Sequence, residues 1–260
     1  MRVAVVGGTG MLGSLVVGEL VARGEEVRVL SRRDTGRLPI GASHCRADLV
    51  SGDGLAEGLA GIEVVVDASN SIPTRRQARR VLIEGTGRLL RAGADTGVRH
   101  HVAVSIVGCD RVPMAYYKAK VEQERAIVSG PLPWSLLRAT QFHSLVEWAL
   151  ASAARFGVLP TGAARLQPVD AEVVAQRVAA AAGGEPAGRL PDVAGPETST
   201  LSELARAWRR ARGRHPLPLR IPMLGPLGRA LRDGGLCDPG AAVEGRTFEQ
   251  WLTGERHRQP

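Results

Sequence analysis

Apolar residues in this chain come in short unbroken runs, with segments of helical spacing between them. Val3-Ala4-Val5-Val6 is the first run, Val64-Val65-Val66 lies further on, and Val102-Ala103-Val104 follows. Runs that do not alternate with polar residues predict strands buried on both faces, as in a parallel sheet. Between them, Leu12, Leu15, Val16 and Leu20 recur at helical spacing, and Ser51 to Leu59 reads as a short helix. From Arg75 to Gly97 a longer helix is predicted, with Ile83, Leu90 and Ala94 on its inner face and Gly97 as its stop. Strand and helix alternate through the first 150 residues, which predicts an α/β fold with a doubly wound parallel sheet.

The first strand runs into Gly7-Gly8-Thr9-Gly10-Met11-Leu12-Gly13, then a helix to about Arg23 and a second strand ending Val29-Leu30-Ser31-Arg32-Arg33. This is one βαβ unit with a glycine turn, the arrangement that binds dinucleotides. Gly7 allows a sharp turn, Gly10 lets backbone approach a pyrophosphate, and Gly13 lets the helix pack closely. The unpaired N–H groups at the helix start, with the helix dipole, favour an anion there. At the end of the second strand, where an acid would accept from a ribose hydroxyl, stand Ser31, Arg32 and Arg33. An arginine pairs with a 2′-phosphate and a carboxylate repels it, so NADP is the expected cofactor.

A loop with Gly36, Pro39 and Gly41 leads to a short third strand and its exit over Ser43 to Leu49, and Val64 to Ala68 ends at Ser69-Asn70, where a parallel strand would face the cofactor. The chain holds two tyrosines, adjacent, and Tyr116 lies four residues before Lys120, which puts both on one helical face. A phenol is a poor base at neutral pH, and a neighbouring ammonium favours its anion.

With its G-x-x-G-x-x-G turn followed by Tyr116-x-x-x-Lys120, the chain resembles the extended and atypical branches of the short-chain dehydrogenase/reductase superfamily, and within them the NmrA-like oxidoreductases. The resemblance covers most of the chain and is strongest over residues 1 to 145. It implies a cofactor cradle of Gly7, Thr9, Gly10, Met11, Leu12, Gly13, Ser31, Arg32 and Arg33. It adds Asp48 and Leu49 at the adenine edge, where Asp48 is equally a turn residue, and Ala68, Ser69 and Asn70 after the fourth strand. Tyr116 is implied as the catalytic acid or base, Lys120 as the residue that holds the nicotinamide ribose, and Ser105 as the third catalytic member. Typical extended members carry that serine slightly further on, where this chain has Ile106 and Val107. Trp134 to His143 resembles the late strand of the branch, making Gln141, Phe142 and His143 substrate-pocket candidates; a packed Phe and an incidental His are the competing explanation.

Beyond residue 150 the pattern is less regular. Asp170 stands near the start of a helix, Thr200 with Glu203 reads as a capping box, and Phe248 with Trp251 anchors a terminal helix. The Pro-rich stretch from Pro216 to Pro226, with Leu227 to Leu231, suggests a lid. We therefore expect a Rossmann core over 1–150 and a smaller substrate-binding and lid region, packed on it, over 151–260.

Composition changes this picture little. With 44% hydrophobic residues the chain can fill a core, although only 3% are aromatic, so Val, Leu and Ala must build it. The net charge of +8 reflects arginine clusters at Arg75 to Arg80 and Arg206 to Arg214. Solvated helix faces explain these better than nucleic acid does, and a nucleic-acid partner is not expected. Three widely spaced cysteines and the adjacent His100-His101 pair give no metal-ligand spacing, so no metal is expected. No run approaches the length of a membrane span, and a soluble cytoplasmic protein without a membrane partner is the expectation. Oligomeric state is left open. The function expected is NADPH-dependent reduction of a small, largely apolar carbonyl, quinone or enone. A non-catalytic NADP-binding redox sensor is the alternative, and a nucleotide-sugar epimerase or dehydratase ranks below both.

Overall fold

The computed structural model describes residues 1–33, 38–70, 74–243 and 245–256; the expected loop glycine Gly36 lies outside them. Its central strands are β1 (Arg2–Val6), β2 (Glu26–Ser31), β3 (Ala42–Arg46), β4 (Val64–Asp67), β5 (His100–Ile106) and β6 (Trp134–Ala139). Among the described residues these form a seven-stranded sheet in the order β3-β2-β1-β4-β5-β6-β9, where the seventh strand, β9, is Gly188–Arg189. The pairs flanking β1 run parallel, Val5 opposite Val29 on one side and Val66 on the other. Val3, Val5, Val29, Val65, Val66 and Val102 are wholly buried. Burial on both faces is why these strands read as continuous apolar runs.

Strand order reverses between β1 and β4, since β1 is followed outward by β2 and β3, and β4 by β5 and β6. A crevice opens at the carboxyl ends of two such strands, because their connections leave in opposite directions.

The helices of this part are α1 (Met11–Ala22), α2 (Leu55–Leu59), α3 (Arg75–Arg79), α4 (Thr86–Asp95) and α5 (Ala115–Val128). A π-helical segment, Arg80–Gly85, joins α3 to α4. It corrects the expected inner face of this helix: Ala78, Leu82, Thr86, Leu89, Leu90 and Gly93 point inward, Ile83 is half-buried and Ala94 is exposed. One extra residue in a turn rotates everything after it, so a single 3.6-residue period cannot describe both halves.

The remaining strands and α-helices are α6 (His143–Ala154), β7 (Val158–Thr161), β8 (Arg165–Leu166), α7 (Ala171–Ala182), β10 (Ser199–Thr200), α8 (Leu201–Arg212), β11 (Leu217–Arg220), α9 (Gly225–Arg232) and α10 (Phe248–Arg256). Strands β10 and β8 pair antiparallel, and β11 pairs parallel with β7. The expected capping box opens α8: Thr200 accepts from the Glu203 amide at 3.2 Å, and Glu203 accepts from the Thr200 amide at 2.7 Å. Asp170 Oδ1 accepts from the Glu172 amide at the start of α7.

The chain divides into two compact units. The first comprises Met1–Ser105, Ala115–Leu137 and Val174–Leu190; the second comprises Ile106–Met114, Arg138–Val173 and Pro191–Pro260. A single boundary near residue 150, as the sequence suggests, does not describe this interleaving. Leu30, Leu59, Val65, Leu89 and Ile127 share a core in the first unit, and Leu150, Leu159, Trp208, Phe248 and Leu252 share one in the second. In each, aliphatic residues supply most of the buried volume, as the scarcity of aromatics requires.

Candidate functional site

The first unit carries the glycine turn. Gly7 leaves β1 with φ +73°, a left-handed conformation, and its amide donates to Leu30 O of β2. A Cβ on Gly7 would lie 2.9 Å from Ala68 O, so the turn after β1 presses against the exit of β4. At Gly13 a Cβ would lie 2.1 Å from Gly7 O, and the helix start therefore rests on the turn itself. Gly8 faces inward between Val29 and Val17. Gly10 is different: a Cβ there would meet only Gly7 O, at 3.2 Å, and the residue is exposed.

Gly10 is also the N-cap of α1 and gives it no side-chain cap, and the first turn holds no acid. Among helix starts, one without a side-chain acceptor keeps its amides for an external anion, which the helix dipole also favours. A bare exposed face at Gly10, an uncapped helix and a turn too tight for any Cβ at Gly13 fit the pyrophosphate of a dinucleotide. Thr9 and Met11 are exposed beside Gly10, while Leu12 is buried under α1.

Ser31 ends β2 with its hydroxyl donating to Arg33 O at 2.6 Å and 2.9 Å from His44 Nε2 of β3. That bond pins the turn from which Arg32 and Arg33 stand exposed. Asp48 Oδ1 accepts from the Val50 amide at 2.7 Å, so Asp48 does act as a turn residue. Leu49 packs on Gly85 in the π-helical segment, where a Cβ would come within 2.9 Å of the Leu49 Cβ.

Beyond β4, Asn70 Oδ1 accepts from the Tyr116 hydroxyl at 2.7 Å. The structure thus brings the phenol of α5 to the carboxyl end of β4, next to the glycine turn. Lys120, one turn further along α5, points inward and is only 3% exposed. Its ammonium donates to Val104 O at 2.9 Å and to Gln123 Oε1 at 2.7 Å. Gln123 Nε2 in turn donates to Thr86 Oγ1 at 3.0 Å and to Asp67 Oδ2 at 3.3 Å. Asp67, Thr86 and Gln123 are all buried. Sequence reasoning missed this network. Its signals were an acid closing the apolar run Val64-Val65-Val66 and a glutamine three residues after Lys120, neither of which names a partner. Ser105, at the end of β5, is also buried.

Gln141, Phe142 and His143 belong to the second unit. Gln141 Nε2 donates to Leu236 O and its Oε1 accepts from the Gln167 amide. Phe142 is the N-cap of α6. The His143 ring is buried at 5.9 Å from Phe248 and 5.7 Å from Trp251, with Nε2 3.0 Å from Arg246 O. An imidazole so placed is a packing group.

Burial lowers the His143 pKa from 6.5 to about 4, against the opposing influence of the Arg246 carbonyl and Asp170. The folded chain therefore prefers neutral imidazole, while the unfolded chain takes up a proton near pH 6.5. Stability is fully present above that pH and falls as the pH drops towards 4, by about 3 kcal/mol in all. Buried His100 and His101, also lowered by desolvation, add in the same direction. Denaturant unfolding at pH 7 and pH 5 should show the loss, and His143→Phe should reduce the difference between the two; an unchanged difference would contradict this account.

Residues 7–182 match the model of a family described as NAD(P)H-binding. The chain belongs to this NAD(P)H-binding family. Over 163 residues the NAD(P)H-binding chain is 27% identical to the chloroplastic divinyl chlorophyllide a 8-vinyl-reductase of Cucumis sativus, covering 54% of this chain and 39% of that protein. It spans less than half the length of the curated relatives it matches. Among solved structures, a nucleoside-diphosphate-sugar epimerase from Staphylococcus aureus shares its fold with a TM-score of 0.80 at 16% identity, over 97% of this chain and 100% of that one. An NADPH-dependent quinone oxidoreductase from Escherichia coli, complexed with NADPH, gives 0.78 at 18% identity, over 98% and 99%. At these identities the likeness is one of fold. A nicotinamide dinucleotide is the cofactor of this fold family, and the cradle described above fits it.

Among the described residues, no helix is long and apolar enough to cross a membrane.

Proposed function

We propose that the chain is an NADPH-dependent oxidoreductase that reduces a small, largely apolar carbonyl, quinone or enone. The observation that carries this reading is the hydrogen bond from Tyr116 to Asn70, which puts a phenolic proton beside the strand exit that Gly7 touches. Bound NADPH supplies the hydride to the acceptor carbon.

Tyr116 donates its proton to the oxygen on which negative charge develops, and the phenolate regains a proton from water, which reaches this half-buried side chain. Asn70 holds the hydroxyl in direction until the proton is handed on. Lys120 places a fixed positive charge one helical turn from Tyr116 and so favours the phenolate. Its hydrogen bonds to Val104 and Gln123 hold that charge at the end of β5, which makes its part electrostatic. Gly10, with the start of α1, receives the pyrophosphate.

Arg32 and Arg33 support the phosphorylated form, since the turn that Ser31 pins presents two exposed cations among the described residues. Replacing both by alanine should raise the KM for NADPH about tenfold while leaving that for NADH unchanged. Equal changes for both cofactors would remove this assignment.

A second reading, an NADP-binding redox sensor, is favoured by one observation: Lys120 and Ser105 are both buried. NADPH oxidation against a panel of quinones, enones, aldehydes and nucleotide sugars separates the two. The reductase reading expects turnover with an apolar acceptor and a loss of about a hundredfold or more in kcat for Tyr116→Phe. Tight NADPH binding with no turnover on any acceptor would leave the sensor.

A further inference from the structure

One stretch of the second unit accounts for the whole excess of basic over acidic residues, since elsewhere clusters such as Arg75 to Arg80 are balanced by acids. Between Leu204 and Arg232 there are eight arginines and no acid, and the rest of the chain holds 26 basic and 26 acidic residues. Two of the eight are neutralised from outside the stretch, Arg210 by Glu249 and Arg212 by Glu147. Arg214, Arg220 and Arg229 are exposed and have no ion-pair partner among the described residues.

The same stretch exposes aliphatic side chains. All four residues of β11 are exposed, with Leu217 at 73% and Leu219 at 50%. Leu224, at 79%, and Leu227 follow at the entry to α9. The Leu217 amide donates to Gly157 O, which brings exposed Phe156 alongside at the start of β7. Contiguous exposed apolar surface rimmed by charge of one sign marks an interaction site.

We propose that this surface of the second unit docks on an anionic lipid bilayer, with the leucines entering the boundary between headgroups and acyl chains and the arginines pairing with lipid phosphates and carboxylates. Charge complementarity selects this occupant. A second copy of the chain, meeting the same surface across a two-fold axis, would set arginines against arginines. A nucleic acid would be read by aromatic or hydrogen-bonding side chains between the arginines. From Arg209 to Arg232 there is no aromatic residue other than the His215 imidazole, and no hydroxyl or amide side chain. Arginine stems lie along apolar surface while their heads stay at the interface, so this composition suits a bilayer edge. The expectation of no membrane partner rested on the want of a spanning run, and docking requires none.

Flotation or sedimentation of the full chain with vesicles tests the proposal, using phosphatidylcholine alone and phosphatidylcholine mixed with phosphatidylserine, at low and high salt. Binding to the mixed vesicles should be at least about tenfold tighter than to the neutral ones and should weaken with salt. Leu217→Ser with Leu224→Ser should lower it about tenfold with the charge intact, and Arg220→Gln with Arg229→Gln should lower it comparably and flatten the salt dependence. Because these positions are exposed, thermal melts of the variants should match that of the parent chain. Three results would overturn the proposal: no preference for anionic vesicles, leucine variants that bind them undiminished, or an association with duplex DNA or with a second copy that outcompetes vesicles.

Discussion

Gly13→Ala should cost the chain its cofactor. The new Cβ would lie 2.1 Å from Gly7 O, 2.7 Å from Gly7 C and 2.8 Å from the Gly8 Cα, all of them backbone atoms. No side-chain rotation relieves such a contact, so α1 and the glycine turn must separate by about an ångström. The uncapped amides of α1 then no longer point where the backbone of Gly10 makes room. A displacement of that size costs on the order of a hundredfold in a positioned site. Titration of NADPH by its fluorescence should show a dissociation constant raised by at least about that factor. Gly18→Ala in the same helix is the control, because a Cβ there has nothing within 4 Å. It should leave binding unchanged and stabilise α1 by about 0.5–1 kcal/mol through a less flexible unfolded chain. Unimpaired binding by Gly13→Ala would show that the turn is not the cradle.

Lys120→Met should damage the chain twice over. Methionine fills similar volume but donates to neither Val104 O nor Gln123 Oε1, both of which then lack that donor inside the first unit. The loss extends along the network, since Gln123 is the amide that links Lys120 to Thr86 and to the Asp67 carboxylate. Removing a buried cation from such a chain of polar groups costs about 3 kcal/mol or more. For a protein of this size that is on the order of 10 °C in melting temperature. In the proposed reaction, turnover measured well below the new melting temperature should still be greatly reduced, because the cation one helical turn from Tyr116 has gone. Gln123→Leu keeps the ammonium and separates the two effects: it should lower the melting temperature with less damage to turnover. A melting temperature and kcat both unchanged in Lys120→Met would deny the residue either role.

The opening βαβ unit was legible because its signals are local. An apolar run buried on both faces, a glycine turn and a helix with apolar spacing each act within a few residues, and together they position one another. The capping box at Thr200 and Glu203 was legible for the same reason, being complete within four residues. The helix from Arg75 to Gly97 was legible in extent but not in face, because nothing in its composition announces the π-helical turn that Gly85 makes against Leu49.

The network around Lys120 was illegible in kind. It joins β4, α4 and α5, and pairing a lysine with a glutamine and an aspartate requires knowing which strands are neighbours. The packing of His143 was not legible, because Phe248, Trp251 and Arg246, which surround it, lie about a hundred residues away. The expectation of NADP at Ser31 to Arg33 likewise rests on a local signal, the charges that stand at one strand end. The identity of an acceptor depends on side chains drawn from several distant segments.

The order in which the first unit acquires its parts has a consequence for synthesis on the ribosome. Its sheet ends in β9, where Ser135 pairs with Gly188 and Leu136 with Arg189, and its last segment, Val174–Leu190, follows a long excursion into the second unit. A nascent chain that has emerged only to residue 150 holds the glycine turn and Tyr116 but leaves β6 as an open edge. The glycine turn is made first and its unit is finished late, so a fragment cut at residue 150 should behave as an unfinished sheet, prone to pairing with its own kind.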